Sequence, residues 1–329
     1  MRKLLLSLIF ALTFQTALAG DTATILHVSY DPTRELSQEV NQAFQKQSKE
    51  KVDIRMSHGG SSKQARAVID GLDADVVSLA LSHDIDMIAK GTGKLPANWR
   101  DALPNRSVPF TSTIVFMVRK GNPKQIKDWD DLARDGVQVA TPNPQSSGGA
   151  RWIYLSAWGF GQKKFGRDKE KDILAFVKKI YSNVPVLDAA ARGSTITFAQ
   201  RGIGDVLVTW ENEAMLATRE LGKGKFEIVY PSLSIVAEPA VAVLNQNTHD
   251  AKSKAVAKEY AEYFFKDESQ RIIARRYFRP VNASVAAEFK DDFPKVTTFR
   301  LEETMDSWDA AQKKHFDKGG TFEQIYTGK

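Results

Sequence analysis

Short runs of β-branched and apolar residues alternate with amphipathic helical stretches along most of this sequence. Residues 23–28, 35–47 and 52–56 have the patterns of a strand, a helix and a strand in that order. The nearly all-apolar run 75–81 is typical of a strand that is buried on both faces of a parallel sheet. This alternation predicts an α/β fold in which helices cover parallel sheets.

A second α/β series begins after the polar segment 104–109. Its strands are predicted at 113–119, 137–140 and 205–209, and a long helix at 172–181 precedes the last of them. A chain of 329 residues is long enough for two separate cores. The sequence therefore predicts a two-lobed protein in which each lobe is a mostly parallel sheet flanked by helices, with the ligand cleft between the lobes.

We predict that lobe 1 contains residues 20–109 and 236–329, and that lobe 2 contains residues 110–235. The return to lobe 1 is expected at an apolar strand over 235–244, which a Glu-Pro pair interrupts before helix-rich sequence follows. Because no low-complexity linker separates the two series, the crossings between the lobes are predicted to be short hinges.

Residues 1–19 have a basic start, an apolar centre and a small-residue end, a pattern that predicts a signal peptide cleaved after Ala19. No other segment approaches the roughly 20 apolar residues that a membrane helix needs. The sequence contains no cysteine that could carry a lipid anchor or form a disulfide. We therefore expect a soluble protein that is exported to the periplasm.

The sequence pI of about 9.2 raises the question of nucleic-acid binding. The basic residues do not cluster, however, and they alternate with acidic residues along most of the chain, as in 164–171. This pattern is typical of a solvated mixed surface, so we predict that no nucleic acid is bound.

Ser147, Gly148 and Gly149 form the most informative loop, because they follow a predicted strand and open a predicted helix. The first amides of a helix have no intrahelical acceptor, and the helix dipole adds partial positive charge there, so a small oxyanion can bind. The two glycines would let a ligand approach the backbone closely. An ordinary serine N-cap explains the same residues and remains the alternative.

Three further loops at the ends of predicted strands offer similar donors. Asp31 lies in a Ser-Tyr-Asp-Pro loop, Ser61 follows a Gly-Gly pair, and Ala191 opens a helical stretch. Trp210 ends a predicted strand, and its indole can donate a hydrogen bond but cannot accept one. The structural alternatives are an Asp-Pro turn, a tightly packed helix start and a core tryptophan.

These loops supply many neutral donors and few acceptors. A buried polar group without a partner costs about 1–3 kcal/mol, so a site made only of donors would reject an anion that keeps a proton, such as phosphate. Asp31 and Glu211 are the exceptions, because either carboxylate could accept that proton. We predict that Asp31 contributes its backbone N–H and turns its side chain away.

Motifs for other chemistries are weak. The sequence has no Gly-x-Ser-x-Gly elbow, and His58 beside Ser61 and Ser62 has no partner at an interpretable spacing. An exported ester hydrolase is the alternative from a different functional class. We predict no catalytic residue, no metal and no cofactor.

Several motifs occur in a recognisable order, namely 28–36, Ser57-His58-Gly59-Gly60-Ser61, Ser147-Gly148-Gly149-Ala150-Arg151-Trp152, Ala191-Arg192-Gly193-Ser194-Thr195, Gly204-Asp205-Val206-Leu207 and Gly319-Gly320-Thr321-Phe322. In this combination, over essentially the whole mature chain, the sequence resembles the periplasmic sulfate-binding proteins. The resemblance implies a two-lobed carrier that binds sulfate without catalysis and delivers it to an inner-membrane ABC permease. A monomer is expected.

The resemblance also implies roles for individual residues. The implied sulfate donors are the amides of Asp31, Ser61, Gly148, Gly149 and Ala191, the hydroxyl of Ser147 and the indole of Trp210. His58, Arg151 and Arg192 would surround the site without contacting the anion.

One position departs from the family pattern, since Ala189 and Ala190 stand where the resembling proteins carry Ser-Gly. The backbone freedom of this loop is therefore in question. Thiosulfate-binding relatives look different where this chain has Gly149 and Trp210, so sulfate is favoured and thiosulfate is the alternative ligand.

Overall fold

The computed structural model describes residues 22–244 and 250–326. The predicted signal peptide and its cleavage point after Ala19 lie outside these residues. Within the described part of the chain, no helix combines the length and the apolar character that crossing a membrane requires. The predicted α/β fold class is confirmed, because two separate sheets carry helices on their faces.

The strands are numbered in chain order. They are β1 (Ala23–Tyr30), β2 (Val52–Gly59), β3 (Val76–Leu79), β4 (Phe110–Thr111), β5 (Ile114–Arg119), β6 (Val139–Pro142), β7 (Leu187–Asp188), β8 (Val206–Trp210), β9 (Phe226–Val229), β10 (Ser234–Ile235), β11 (Ala240–Val243), β12 (Arg279–Pro280) and β13 (Thr298–Phe299).

The helices are numbered in the same way, with α4 a single turn. They are α1 (Arg34–Gln47), α2 (Ser61–Ile69), α3 (Ser82–Thr92), α4 (Pro104–Ser107), α5 (Trp129–Leu132), α6 (Gly148–Phe165), α7 (Glu170–Ser182), α8 (Ala191–Ala199), α9 (Glu211–Leu216), α10 (Ala251–Tyr263), α11 (Asp267–Arg275), α12 (Ala283–Glu288), α13 (Trp308–Ala311) and α14 (Thr321–Tyr326).

The first sheet has the strand order β11-β3-β1-β2. β1 runs parallel to β2 and β3, and its register with β2 ends with Tyr30 beside Gly59. Apolar side chains such as Ile25 and Val28 are fully buried on the sheet. Because β1 and β2 are parallel, the loops that follow them meet at one edge of the sheet.

The second sheet has the order β7-β6-β8-β5-β9. β6 is parallel to β7 and β8, whereas β5 is antiparallel to both of its neighbours. The direction of β5 follows from where the chain enters the sheet: Ile114 at its start lies beside Trp210 at the end of β8. The sheet is therefore mixed, with its parallel part formed by the strands whose loops carry the predicted site residues.

Short paired segments connect the two sheets. β4 pairs with β12, β10 pairs with β13, and Ser112 bridges to Ala237 through hydrogen bonds of 3.0 and 2.9 Å. The predicted strand over 235–244 is divided into β10 and β11 around Glu238-Pro239, at the interruption that the sequence predicts.

The C-terminal segment 308–326 packs against helices that flank the second sheet. The hydroxyl of Tyr154 on α6 lies 2.8 Å from Oγ1 of Thr321, and the rings of Tyr181 on α7 and Phe322 are 5.4 Å apart. The lobe boundaries at residues 110 and 236 stay a prediction. Asp309 in the same segment also pairs with His83 and Lys90 of α3, so the assignment of residues 308–326 to a lobe stays a prediction as well.

Candidate anion-binding site

A small cavity lies where the ends of β1 and β2 face the ends of β6, β7 and β8. Its lining residues are Tyr30, Asp31, Pro32, Gly59, Gly60, Ser61, Ser147, Gly149, Ala190, Ala191 and Trp210. Gly148 lies in the chain between two of them. The structure therefore brings the predicted donor residues from both series together around one small space.

Helix N-termini converge on this cavity. Asp31 is the first residue of a short 3-10 helix (Asp31–Thr33), and Ser61, Gly148 and Ala191 are the first residues of α2, α6 and α8. Amides at this position have no acceptor within their helix, and they lie at the positive end of the helix dipole. N–H groups at such positions are of the kind that stabilise an anion.

The residues that precede most of these helices cannot cap them. Tyr30, Gly60 and Ala190 hold the N-cap positions and make no side-chain cap hydrogen bond. Serine, threonine, aspartate or asparagine usually stands at this position, and its replacement by alanine costs about 1 kcal/mol of stability. Tyr30 and Ala190 are therefore poor N-cap residues. In none of these three helices does a side-chain cap compete with an external acceptor for the first amides.

The indole of Trp210 provides the clearest unpaired donor. Its Nε1 atom is buried and has no hydrogen-bond partner within the described residues. A Cβ atom at Gly149 would lie 2.2 Å from this nitrogen, so the glycine is required for the indole to fit. An unpaired buried donor is unfavourable by about 1–3 kcal/mol unless a ligand accepts its hydrogen.

The hydroxyl groups of Ser61 and Ser147 differ in whether they can donate a hydrogen bond to a ligand. The hydroxyl of Ser61 donates to Asp84 Oδ2 at 2.6 Å and accepts from the Ala80 amide at 3.0 Å, so only its backbone N–H remains. The hydroxyl of Ser147 accepts from the Ala150 amide at 3.3 Å and keeps its own hydrogen for donation. The site therefore gains one serine hydroxyl, from Ser147.

The nearest carboxylates are paired with arginines. Asp31 Oδ1 accepts from Arg34 Nη2 at 2.6 Å. Glu211 is fully buried and accepts two hydrogen bonds from Arg279, at 2.6 and 2.7 Å. The two arginines orient these side chains, and Glu211 is not among the residues that line the cavity.

Arg192 links elements of the two sheets beside the cavity. It donates to both carboxylate oxygens of Glu35 on α1 at 2.9 Å and to those of Glu213 on α9 at 2.9 and 3.0 Å. Burial opposes the charge of Arg192, but the hydrogen bonds to both carboxylates raise the pKa of its guanidinium above the ordinary value. Its charge is neutralised by these carboxylates.

Arg151 and His58 also lie outside the cavity lining. Arg151 donates to the Pro144 carbonyl at 2.9 Å and to Gln312 Oε1 at 2.7 Å, so it holds the loop before α6. Burial, followed by the nearby charge of Arg34, lowers the pKa of His58 to about 4, so its ring is neutral near pH 7.

The predicted site residues did not include five residues that also line the cavity, namely Tyr30, Pro32, Gly59, Gly60 and Ala190. The Tyr30 hydroxyl is buried without a partner in the described part of the chain, and its ring lies 5.6 Å from that of Trp210. In the sequence, each of the five lies within two positions of a predicted donor residue, and that position was the available signal.

The alanine pair that departs from the family pattern adopts a conformation open to any residue. Ala190 has φ −155° and ψ 167°, which is extended backbone. The carbonyl of Ala189 accepts from the Ser146 hydroxyl at 2.8 Å. The loop therefore does not depend on a glycine at position 190.

A family model described as bacterial extracellular solute-binding protein matches residues 26–279. The chain is 53% identical to a sulfate-binding protein of Salmonella typhimurium over 314 residues, covering 94% of this chain and 95% of that protein. It is 52% identical to a thiosulfate-binding protein of Pseudomonas aeruginosa, covering 92% of each. Among solved structures, the sulfate-binding protein SubI from Mycobacterium tuberculosis H37Rv matches with a TM-score of 0.81 and 33% identity, covering 90% of this chain and 100% of that chain.

Proposed function

The chain belongs to the bacterial extracellular solute-binding proteins, and on that premise we propose that it captures sulfate in the cavity between its lobes and delivers it to an inner-membrane ABC permease. Two kinds of relative support this proposal: the sulfate-binding protein that is 53% identical and the solved sulfate-binding structure with a TM-score of 0.81. The observation that carries it is the unpaired indole of Trp210 at a cavity ringed by helix N-termini.

The proposed contacts are hydrogen bonds from neutral groups. The donors are the amides of Asp31, Ser61, Gly148, Gly149 and Ala191, the hydroxyl of Ser147 and the indole of Trp210. The two negative charges of the anion would be stabilised by amide dipoles fixed in place before binding, at a buried site where such dipoles act more strongly than in water.

The surrounding arginines support the site without contacting the anion. Arg192 is held by Glu35 and Glu213, and Arg151 is held by Pro144 and Gln312. Both guanidiniums therefore have partners other than a ligand. We propose that they fix the loops and helices from which the donors project, together with His58 at the end of β2.

Selectivity for sulfate over phosphate would follow from the difference in protonation between the two anions. Sulfate carries no proton near neutral pH, so every one of its oxygens can accept, whereas phosphate keeps at least one proton that needs an acceptor. The Asp31 and Glu211 carboxylates are oriented toward Arg34 and Arg279, and we propose that neither accepts the phosphate proton. Phosphate binding would then leave a buried donor unpaired. The proposed carrier would therefore reject phosphate.

The remaining parts of the proposal follow from the family. We infer a periplasmic protein whose signal peptide is cleaved after Ala19, which acts as a monomer and performs no reaction on its ligand. Closure of the lobes would remove water from the anion, and reopening at the permease would release it.

Thiosulfate is the second candidate ligand. It is favoured by the thiosulfate-binding relative, which is 52% identical and aligns over 92% of each chain. Thiosulfate has one sulfur in place of an oxygen, and that larger atom accepts hydrogen bonds more weakly. We therefore propose that it binds the same site less tightly than sulfate.

Equilibrium dialysis of the ligand-stripped mature protein with labelled sulfate tests the proposal. We expect saturable binding of one sulfate per chain, displacement by thiosulfate at higher concentration and no hydrolysis of a chromogenic sulfate ester. Absence of sulfate binding would contradict the proposed ligand, and ester turnover would contradict the carrier role.

A further inference from the structure

Gly60 stands where the two lobes meet beside the cavity. A Cβ atom there would lie 2.4 Å from the backbone carbonyl oxygen of Ser146 and 3.2 Å from that of Ala189. Gly60 follows β2, whereas both carbonyls belong to loops of the second sheet. A backbone carbonyl cannot swing away as the end of a flexible side chain can, so a methyl at this position would push the lobes apart.

Gly148 makes the reciprocal contact from the second sheet. A Cβ atom at this position would lie 2.9 Å from Ala80 Cβ, 2.9 Å from Leu81 Cγ and 3.0 Å from Ser61 Cβ. All three atoms lie in segments that follow strands of the first sheet, namely the residues after β3 and the start of α2. The contact between the lobes is therefore tight on both sides of the cavity.

Backbone conformation does not explain either glycine. Gly60 has φ −62° and ψ 133°, which any residue adopts, and Gly148 is an ordinary helical residue at the start of α6. The glycines are required for space alone. A further contact depends on the same separation, since Trp152 Nε1 on α6 donates to the Ala80 carbonyl at 2.8 Å.

We propose that Gly60 and Gly148 are positioning residues that set how far the lobes close, so that the donors of both lobes reach one dehydrated anion. This inference rests on the proposed function. Beyond the proposed function, the inference is that contact at these two glycines fixes the final separation of the lobes. The size of the cavity would then depend on the absence of side chains at both positions.

The test uses Gly60→Ala in the mature full-length protein. If the lobes are held apart, the donors of one lobe lose the anion, and the loss of two charged hydrogen bonds weakens sulfate binding by about 100-fold or more. Titration calorimetry measures this affinity. Small-angle scattering with saturating sulfate should show compaction in the wild type and none in the variant.

Gly91→Ala is the matched control. Its added methyl would meet the side chain of Ile69 at 3.2 Å, inside lobe 1 and away from the facing lobe. We expect it to bind sulfate and compact as the wild type does. If Gly60→Ala lowers the melting temperature of the ligand-free protein more than this control does, Gly148→Ala carries the test, with the same loss of affinity and compaction expected.

The outcomes separate the two proposals. A wild type that binds no sulfate contradicts the proposed function. A wild type that binds sulfate, together with glycine variants that bind it equally well and compact on binding, leaves the proposed function standing and overturns the role of the glycines.

Discussion

The two lobes differ in what they bring to the cavity. The first-sheet side offers the amides of Asp31 and Ser61, whereas the second-sheet side offers the Ser147 hydroxyl, amides at the starts of α6 and α8, and the Trp210 indole. Under the proposed function, the anion should first dock on lobe 2. Lobe 1 then closes over it, adds fewer hydrogen bonds and excludes water. The following predictions test this asymmetry.

The largest effect is expected from Gly149→Ala. The new methyl would lie 2.2 Å from Trp210 Nε1, so the indole must move and the amide at position 149 is displaced with it. Loss of two hydrogen bonds to a charged ligand should weaken sulfate binding by about 100-fold or more, as expected for Gly60→Ala. Calorimetric titration measures the loss, and the melting temperature of the ligand-free variant shows whether it folds. Unchanged affinity in a folded variant would remove lobe 2 as the docking surface.

Trp210→Phe is a smaller test of the same side. It removes one hydrogen bond to the anion, worth about 1.5–3 kcal/mol, so affinity should fall about ten- to hundredfold. Trp158→Phe is a matched control. Trp158 is also fully buried, and its Nε1 has no partner among the residues that the structure describes, but it packs against Tyr154 and His315. Equal effects of the two variants would show that the indole of Trp210 has no special role.

Acid should destabilise the region around β1 and β2, which contains His27 and His58, more than the region around α6, against which His315 packs. Burial, followed by the nearby His58, lowers the pKa of His27 to about 3, and burial, followed by Arg34, lowers the pKa of His58 to about 4. On the C-terminal segment, burial, followed by Lys314, lowers the pKa of His315 to about 3. The folded state therefore disfavours the protonated rings.

Because the folded state lowers the pKa of these three histidines, acid should lower the stability of the folded protein. The contribution of each neutral histidine to the free energy of unfolding is complete above the unfolded-state pKa of about 6.5. It decreases by up to about 1.4 kcal/mol per pH unit as the pH falls toward the folded-state pKa. Urea unfolding at pH 7 and pH 5 measures the change, and hydrogen exchange should show earlier opening of β1 and β2 than of α6. Equal protection of both regions at pH 5 would contradict the expected asymmetry.

The smallest effect is expected from Asp31→Asn. Its carboxylate is paired with Arg34, so only its backbone N–H is assigned to the anion, and the substitution keeps that N–H. Sulfate affinity and the rejection of phosphate should both remain nearly unchanged in competition titrations. A large gain or loss of phosphate binding would show that the carboxylate faces the ligand.

Much of the fold was predictable because local patterns carry it. Helix α1 and strand β1 differ from their predicted ranges by only a few residues at one end, and the division of β10 from β11 occurs around Glu238-Pro239. The direction of each strand in its sheet was harder to predict from the sequence, because the pattern of apolar residues in a strand is the same in both directions. The antiparallel orientation of β5 depends on where the crossing segment enters the sheet.

Long-range packing was not predictable from the same patterns. The amphipathic character of α14 requires an apolar surface but does not identify one, and the structure places it on α7. At the site, the sequence indicated which loops supply donors. It could not distinguish the hydroxyl of Ser61, which is bonded to Asp84, from that of Ser147, and it did not show that Gly60 faces Ser146 across the cleft.

The central claim is that neutral donors select an anion by its lack of a proton. Monofluorophosphate tests this directly, because it has the shape and double charge of sulfate and carries no proton near neutral pH, whereas phosphate does. We would measure displacement of labelled sulfate by both anions at pH 7.5. The account predicts displacement by monofluorophosphate and none by phosphate at the same concentration. Equal displacement by the two would contradict it.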